Sequence, residues 1–187
     1  QWTKLAAGRS VEIHPSPDSG VWCGNHQAPL EFYRAAASNA YRMGADGIYI
    51  FNLFCRGYPL ADDAYLIMRD LSDSDALTRR DKVFCAGVDN WNSETDTLPV
   101  EIEPDRPALV NVVVGDDLEQ SRQNTTLNNV ILNVRLSGCT LEDRVEIQLN
   151  GRTLDLTRAR LWAPENRVSP NAPQPPGAQW ENGMATG

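Results

Sequence analysis

Residues 47–54 read Gly-Ile-Tyr-Ile-Phe-Asn-Leu-Phe (GIYIFNLF), and this continuous apolar run decides the predicted fold. Its length suits a single β-strand. A strand that is apolar without alternation is typical of a parallel sheet, because helices cover such a sheet on both faces. The run therefore predicts an α/β arrangement in the first part of the chain.

The residues around this run predict two helices and a second strand. Residues 10–14 alternate as a strand does, and the helix that follows has Pro29 in its first turn and Gly44 at its C-terminal cap. Apolar residues recur in that helix at helical spacing, namely Leu30, Tyr33, Ala37, Ala40 and Tyr41. A second helix, capped by Asp62 or Asp63, would present Ala64, Ile67, Met68 and Leu71. A right-handed crossover would place residues 11–14 and 48–52 side by side and parallel.

The helical period disappears toward the C-terminus. Residues 81–97 are mostly polar and form a connector, and short strand-like runs follow at residues 100–103, 109–114, 130–136 and 144–149. Asn150-Gly151 is a strong hairpin signal. Several short strands separated by turns predict an antiparallel β-sandwich or jelly roll over residues 98–187, ending in a proline-rich, disordered tail.

Charge and composition exclude several classes of protein. The chain has 187 residues with 17 basic and 25 acidic side chains, for a formal net charge of −8. Nucleic acids and anionic membranes bind clustered Lys and Arg, so we expect neither as a partner. No apolar run approaches the roughly 20 residues of a membrane-spanning helix. Because the chain begins at Gln1, we expect a piece of a longer protein, and its localisation stays unknown.

Metal-ligating patterns are weak in this sequence. The four cysteines, Cys23, Cys55, Cys85 and Cys139, include no CxxC pair, and His14 and His26 lack the HExxH spacing. The predicted cofactor and metal content is therefore none. Asp116-Asp117 leaves two interpretations open, calcium ligands or a solvated turn.

Several stretches resemble a known family. Residues 28–37 (APLEFYRAAA) and 41–52 (YRMGADGIYIFN) are similar to the end of a TIM barrel in glycoside-hydrolase-like proteins, where a helix leads through such a motif into the last barrel strand. Residues 65–71 resemble the closing helix. Residues 130–136 and 142–151 resemble the β-sandwich that often follows such barrels.

This resemblance implies a fold and a function. The fold would be α/β plus all-β, with residues 1–80 as the C-terminal part of a (β/α)8 barrel and residues 98–187 as an incomplete β-sandwich. The implied function is that of a fragment of a carbohydrate-active enzyme, which hydrolyses glycosidic bonds in a poly- or oligosaccharide. The alternative is a non-catalytic carbohydrate-binding or structural module. Exposed barrel edges would favour self-association, and the chain alone would lack glycosidase activity because the strand carrying the second carboxyl group is missing.

Four residues are candidates for the site. By the resemblance, Glu12 corresponds to the nucleophilic carboxylate on the seventh barrel strand, and His14, on the same face, would contact sugar or carry a proton. Trp22 could stack on a pyranose ring, and Asn52 could bind a sugar hydroxyl. Each also has a structural interpretation: an ion pair for Glu12, a hydrogen bond for His14, core packing for Trp22 and a turn cap for Asn52.

Overall fold

The computed structural model describes residues 4, 6–16, 29–51, 53, 62–86, 98, 100–140 and 142–159. The chain divides into two compact units, Gln1–Asn128 and Asn129–Gly187. The first unit contains helices α1 (Leu30–Arg42), α2 (Asp62–Leu71), α3 (Ser74–Leu77) and α4 (Leu118–Gln123). The second contains strands β1 (Gln148–Leu149) and β2 (Arg152–Thr153), followed by a 3-10 turn at Leu156–Arg158.

Helices α1, α2 and α3 enclose the core of the first unit. Its buried side chains are Tyr33, Ala37, Ile67, Leu71 and Leu77. Both predicted long helices are confirmed, with α1 beginning directly after Pro29 and Gly44 adopting a left-handed φ of +88°. Met68 departs from the prediction because 39% of it is exposed, and Asp70 occupies the buried face of α2 instead.

A buried ion cluster joins α1 to α2. The Asp70 side chain is only 1% exposed, and its Oδ2 accepts hydrogen bonds from Arg34 Nε (3.0 Å) and Nη2 (2.7 Å). Its Oδ1 accepts from Arg69 Nε and Nη2, at 3.0 and 2.8 Å. Both carboxylate oxygens are thus satisfied, as a buried charge requires. The Tyr41 hydroxyl makes a second link by donating to the Leu71 carbonyl at the end of α2, at 2.7 Å.

The extended segments 11–16 and 45–50 lie side by side. Asp46 N donates to the Ile13 carbonyl at 2.9 Å, and Tyr49 N donates to the Pro15 carbonyl at 3.0 Å. Because the partner numbers rise together, the segments run in the same direction, and this confirms the predicted parallel placement over residues 13–15 and 46–49. Neither segment forms a regular strand.

Residues from the predicted connector and the predicted sandwich contact α1. Val83 N donates to the Glu31 carbonyl at 3.2 Å, and Asn39 Nδ2 donates to the Val113 carbonyl at 3.2 Å. Lys82 Nζ lies 2.9 Å from Asp116 Oδ2, with Lys82 only 3% exposed. Helix α1 therefore contacts residues that the sequence predicted to lie in the connector and in the β-sandwich.

The hairpin at Asn150-Gly151 is confirmed in the second unit. Gln148 pairs with Thr153 and Leu149 with Arg152 in antiparallel register. Asn150 and Gly151 have φ values of +50° and +77°, and two positive φ values in succession are typical of the tight turn that Asn-Gly favours.

The predicted partial TIM barrel and β-sandwich are wrong. Over the described ranges, regular strand pairing is confined to β1 and β2, and Glu103–Arg106 is an isolated bridge. Residues 109–114 and 130–136 form neither helix nor strand, and Leu109 is 84% and Ile131 71% exposed. An alternating or apolar run predicts extended backbone, but a sheet also needs a neighbouring strand to pair with its N–H and C=O groups. Self-association stays a prediction, and these exposed apolar segments offer a surface for it.

Candidate functional site

Glu12 and His14 are the predicted site residues that the structure brings together. His14 Nε2 lies 3.0 Å from Glu12 Oε2, within hydrogen-bond distance. The Glu12 side chain is 78% and that of His14 is 44% exposed, so both can reach a ligand from solvent. The pair therefore offers a carboxylate and an imidazole at one point of the surface.

The local backbone explains why these two side chains meet. Glu12 and His14 are two residues apart in a segment without helix or turn, and alternate side chains of an extended chain point to the same side. Ile13, between them, is only partly exposed, and its main-chain N–H and C=O groups both bond to Asp46. The contact between Glu12 and His14 agrees with the alternation visible in the sequence.

The other two predicted site residues, Trp22 and Asn52, lie outside the described residues. Their roles stay predictions.

Asp116 and Asp117 each accept hydrogen bonds within the protein, and Asp117 is the more exposed of the two. Asp116 Oδ1 accepts the Ser38 hydroxyl, its Oδ2 pairs with Lys82, and the carboxylate is only 17% exposed. Asp117 caps α4 by accepting from Gln120 N at 2.9 Å. Within the described ranges, no three His, Cys, Asp or Glu residues lie close enough to hold a metal ion together.

Asp70 is a charged centre that the sequence analysis missed. Burial by itself raises the pKa of Asp70, but hydrogen bonds from Arg34 and Arg69 and their positive charges outweigh it and hold the pKa below its usual value. Asp70 follows Ile67 by three residues and precedes Leu71, so it falls in the apolar stripe of α2. An acid in such a stripe is the signal that could have predicted a buried ion pair.

A shallow depression of about 650 Å³ lies beside α3. Its lining consists of Asp73, Asp75, Ala76, Thr78, Arg79 and Arg80, so acidic and basic groups oppose one another there. It shares no residue with the Glu12–His14 pair. Its mixed charge favours no single class of ligand.

Searches against protein families, curated proteins and solved structures find no match to this chain. No helix among the described residues is long and apolar enough to cross a bilayer.

Proposed function

We propose that this chain belongs to a carbohydrate-active protein that hydrolyses glycosidic bonds, and that Glu12 and His14 contact the sugar. The observation that carries the proposal is the exposed pair itself, with His14 Nε2 and Glu12 Oε2 3.0 Å apart. The motif at residues 41–52, which resembles glycoside-hydrolase-like proteins, adds support because its Asp46 contacts the segment that carries the pair.

The chemistry of the two groups suits a sugar. A carboxylate accepts hydrogen bonds from sugar hydroxyls and can stabilise or attack an oxocarbenium-like centre. A neutral imidazole donates a hydrogen bond through one nitrogen and accepts one through the other, and the ring can take up or release a proton. Hydrolysis also needs a second carboxyl group, about 5–5.5 Å from the first in a retaining enzyme or about 6.5–9.5 Å in an inverting one.

A non-catalytic carbohydrate-binding role is the second candidate, and the exposure of Glu12 favours it. A catalytic carboxylate works in a site from which water is excluded, because low polarity strengthens its interaction with developing charge. The Glu12 side chain is 78% exposed. In this second candidate function, the Glu12 carboxylate binds sugar hydroxyl groups and takes no part in cleaving the glycosidic bond.

Glycan binding by the 187-residue chain and three variants tests both candidates. Binding to a panel of oligosaccharides is screened first and then measured by calorimetry for Glu12→Gln, His14→Ala and the exposed control Glu101→Gln. We expect His14→Ala to weaken binding and Glu101→Gln to leave it unchanged. If the chain binds none of the oligosaccharides, the proposal is overturned.

The Glu12→Gln variant separates the two candidates. A nucleophile replaced by its amide keeps most of the ground-state affinity, so binding stays nearly intact if Glu12 is catalytic. If the carboxylate is a binding group, losing its charged hydrogen bond costs about 1.5–3 kcal/mol, or more than tenfold in affinity. We expect the chain alone to release no reducing ends from the same oligosaccharides, and any such release would show hydrolysis directly.

A further inference from the structure

Asp46 contacts the residue that lies between Glu12 and His14. Its main-chain N–H donates to the Ile13 carbonyl at 2.9 Å, and its carboxylate Oδ2 accepts from Ile13 N at 2.8 Å. The two bonds engage both main-chain polar groups of Ile13. Asp46 therefore holds the backbone from which the two site side chains project.

Gly47, the next residue, leaves room for the imidazole of His14. A Cβ atom at position 47 would lie 2.8 Å from His14 Cε1 and 3.0 Å from Nδ1, closer than van der Waals contact permits. The φ of Gly47 lies outside the left-handed region, so its backbone conformation does not itself require glycine. The histidine ring occupies the space that a side chain at position 47 would fill.

The two contacts act on different parts of the site. The Nδ1 and Cε1 edge of the ring faces Gly47, while Nε2 meets Glu12 Oε2 at 3.0 Å. An imidazole displaced from Gly47 would change its distance to Glu12, because the ring moves as one rigid body.

We propose that Asp46 and Gly47 are positioning residues for the Glu12–His14 pair. Asp46 acts through the main chain of Ile13, and Gly47 acts through the space that it leaves for the ring. This assignment rests on the proposed function for its biological meaning, but the positioning itself can be measured without any sugar.

Nuclear magnetic resonance of the histidine ring tests the assignment. The ¹⁵N shift of His14 Nε2 is recorded with and without Glu12→Gln, and the difference reports contact between the two side chains. We expect a clear difference in the wild-type background and in Asp46→Asn, since an amide oxygen still accepts from Ile13 N. We expect at least half of that difference to be lost in Asp46→Ala and in Gly47→Ala.

Two further readouts distinguish a local change at the site from general unfolding. Amide spectra of α1 and α2 should be unchanged in each variant, because the three atoms nearest to a Cβ at Gly47 belong to the His14 ring and the Asp46 carboxylate bonds to Ile13 N. In the wild type, a nuclear Overhauser effect should join His14 Hε1 to the Gly47 Hα atoms. An equal response to Glu12→Gln in all four backgrounds would overturn the assignment.

Sugar binding then separates this inference from the proposed function. If the chain binds an oligosaccharide, Asp46→Ala and Gly47→Ala should weaken binding as His14→Ala does, and Asp46→Asn should not. If it binds none, the proposed function fails, while the ring shifts still decide whether Asp46 and Gly47 position the pair.

Discussion

Replacing Asp70 by Asn should destabilise the first unit strongly while barely changing side-chain shape. The wild-type carboxylate is 1% exposed and receives two hydrogen bonds from Arg34, whose own side chain is 12% exposed. The amide cannot neutralise that guanidinium. The substitution therefore leaves a largely buried positive charge with the more distant carboxylate of Glu31, whose Oε1 lies 3.9 Å from Arg34 Nη1.

The magnitude follows from the exposure of each arginine. Breaking a buried ion pair by removing one partner costs about 3–5 kcal/mol. The remaining amide oxygen still accepts one hydrogen bond, so we expect the lower end, about 3 kcal/mol. Two further cations lie near Asp70 Oδ1: Arg69, which is 60% exposed, and Arg80, which is 46% exposed and has its Nη2 4.0 Å away. Solvent screens both charges, so each contributes less than Arg34. The free energy of unfolding of a small domain is only about 5–15 kcal/mol, so this loss is a large fraction of it.

Urea unfolding followed by circular dichroism measures the effect. With a slope of about 2 kcal/mol per M, a loss of 3 kcal/mol lowers the urea midpoint by about 1.5 M at constant slope. The matched control is Arg69→Gln, which removes a solvent-exposed charge beside the same carboxylate but keeps an amide that can donate to Oδ1, and it should cost only about 1 kcal/mol. An Asp70→Asn variant within about 0.5 kcal/mol of wild type would refute the reasoning.

The same carboxylate predicts an acid dependence of stability. Arg34 and Arg69 hold the pKa of Asp70 in the folded protein below the ordinary value of 3.8, despite its burial. The unfolded state therefore binds more protons than the folded state at acid pH. The contribution of Asp70 to the free energy of unfolding is complete above its pKa in the unfolded state and is lost as pH falls through its pKa in the folded state. Unfolding free energies measured from neutral pH down to pH 3 should fall more steeply for wild type than for Asp70→Asn. Parallel curves would contradict this origin.

Three further substitutions test contacts around α1 and α3. Lys82→Met should lower the free energy of unfolding in urea by about 3 kcal/mol, because Asp116 loses its buried cation. The Lys82→Met, Asp116→Leu double variant should recover part of that loss. If Lys82→Met leaves stability unchanged, the buried pair is contradicted. Gly115→Ala should cost about 1–3 kcal/mol, because its Cβ would lie 2.6 Å from main-chain atoms of Ser38; an unchanged thermal midpoint would show that this close approach is absent. Asp73→Ala should lower the free energy of unfolding by about 1 kcal/mol, because it removes the N-cap of α3. Asp73→Asn keeps a capping oxygen and should have a thermal midpoint close to that of wild type. Equal loss in both variants would argue against capping.

Part of the site could be predicted from local pattern alone. The alternation over residues 10–14 placed Glu12 and His14 on one side of an extended segment, and the structure keeps them in contact. The Asp46 and Gly47 contacts could not be predicted in the same way, because they join residues 33 positions apart. A pattern within one segment does not specify which distant residue fills the space beside it.

The sequence by itself determined the elements whose stabilising contacts are local. Helix α1, helix α2 and the Asn150-Gly151 turn depend on hydrogen bonds and side-chain spacing within a few residues, and all three form where the pattern predicts. Only the tertiary structure decided the rest. The apolar runs at residues 109–114 and 130–136 predicted paired strands, but strand pairing is a non-local interaction that these residues cannot supply alone. Likewise, Asp70 became a buried anion because Arg34, 36 residues earlier in the chain, lies against it in the folded protein.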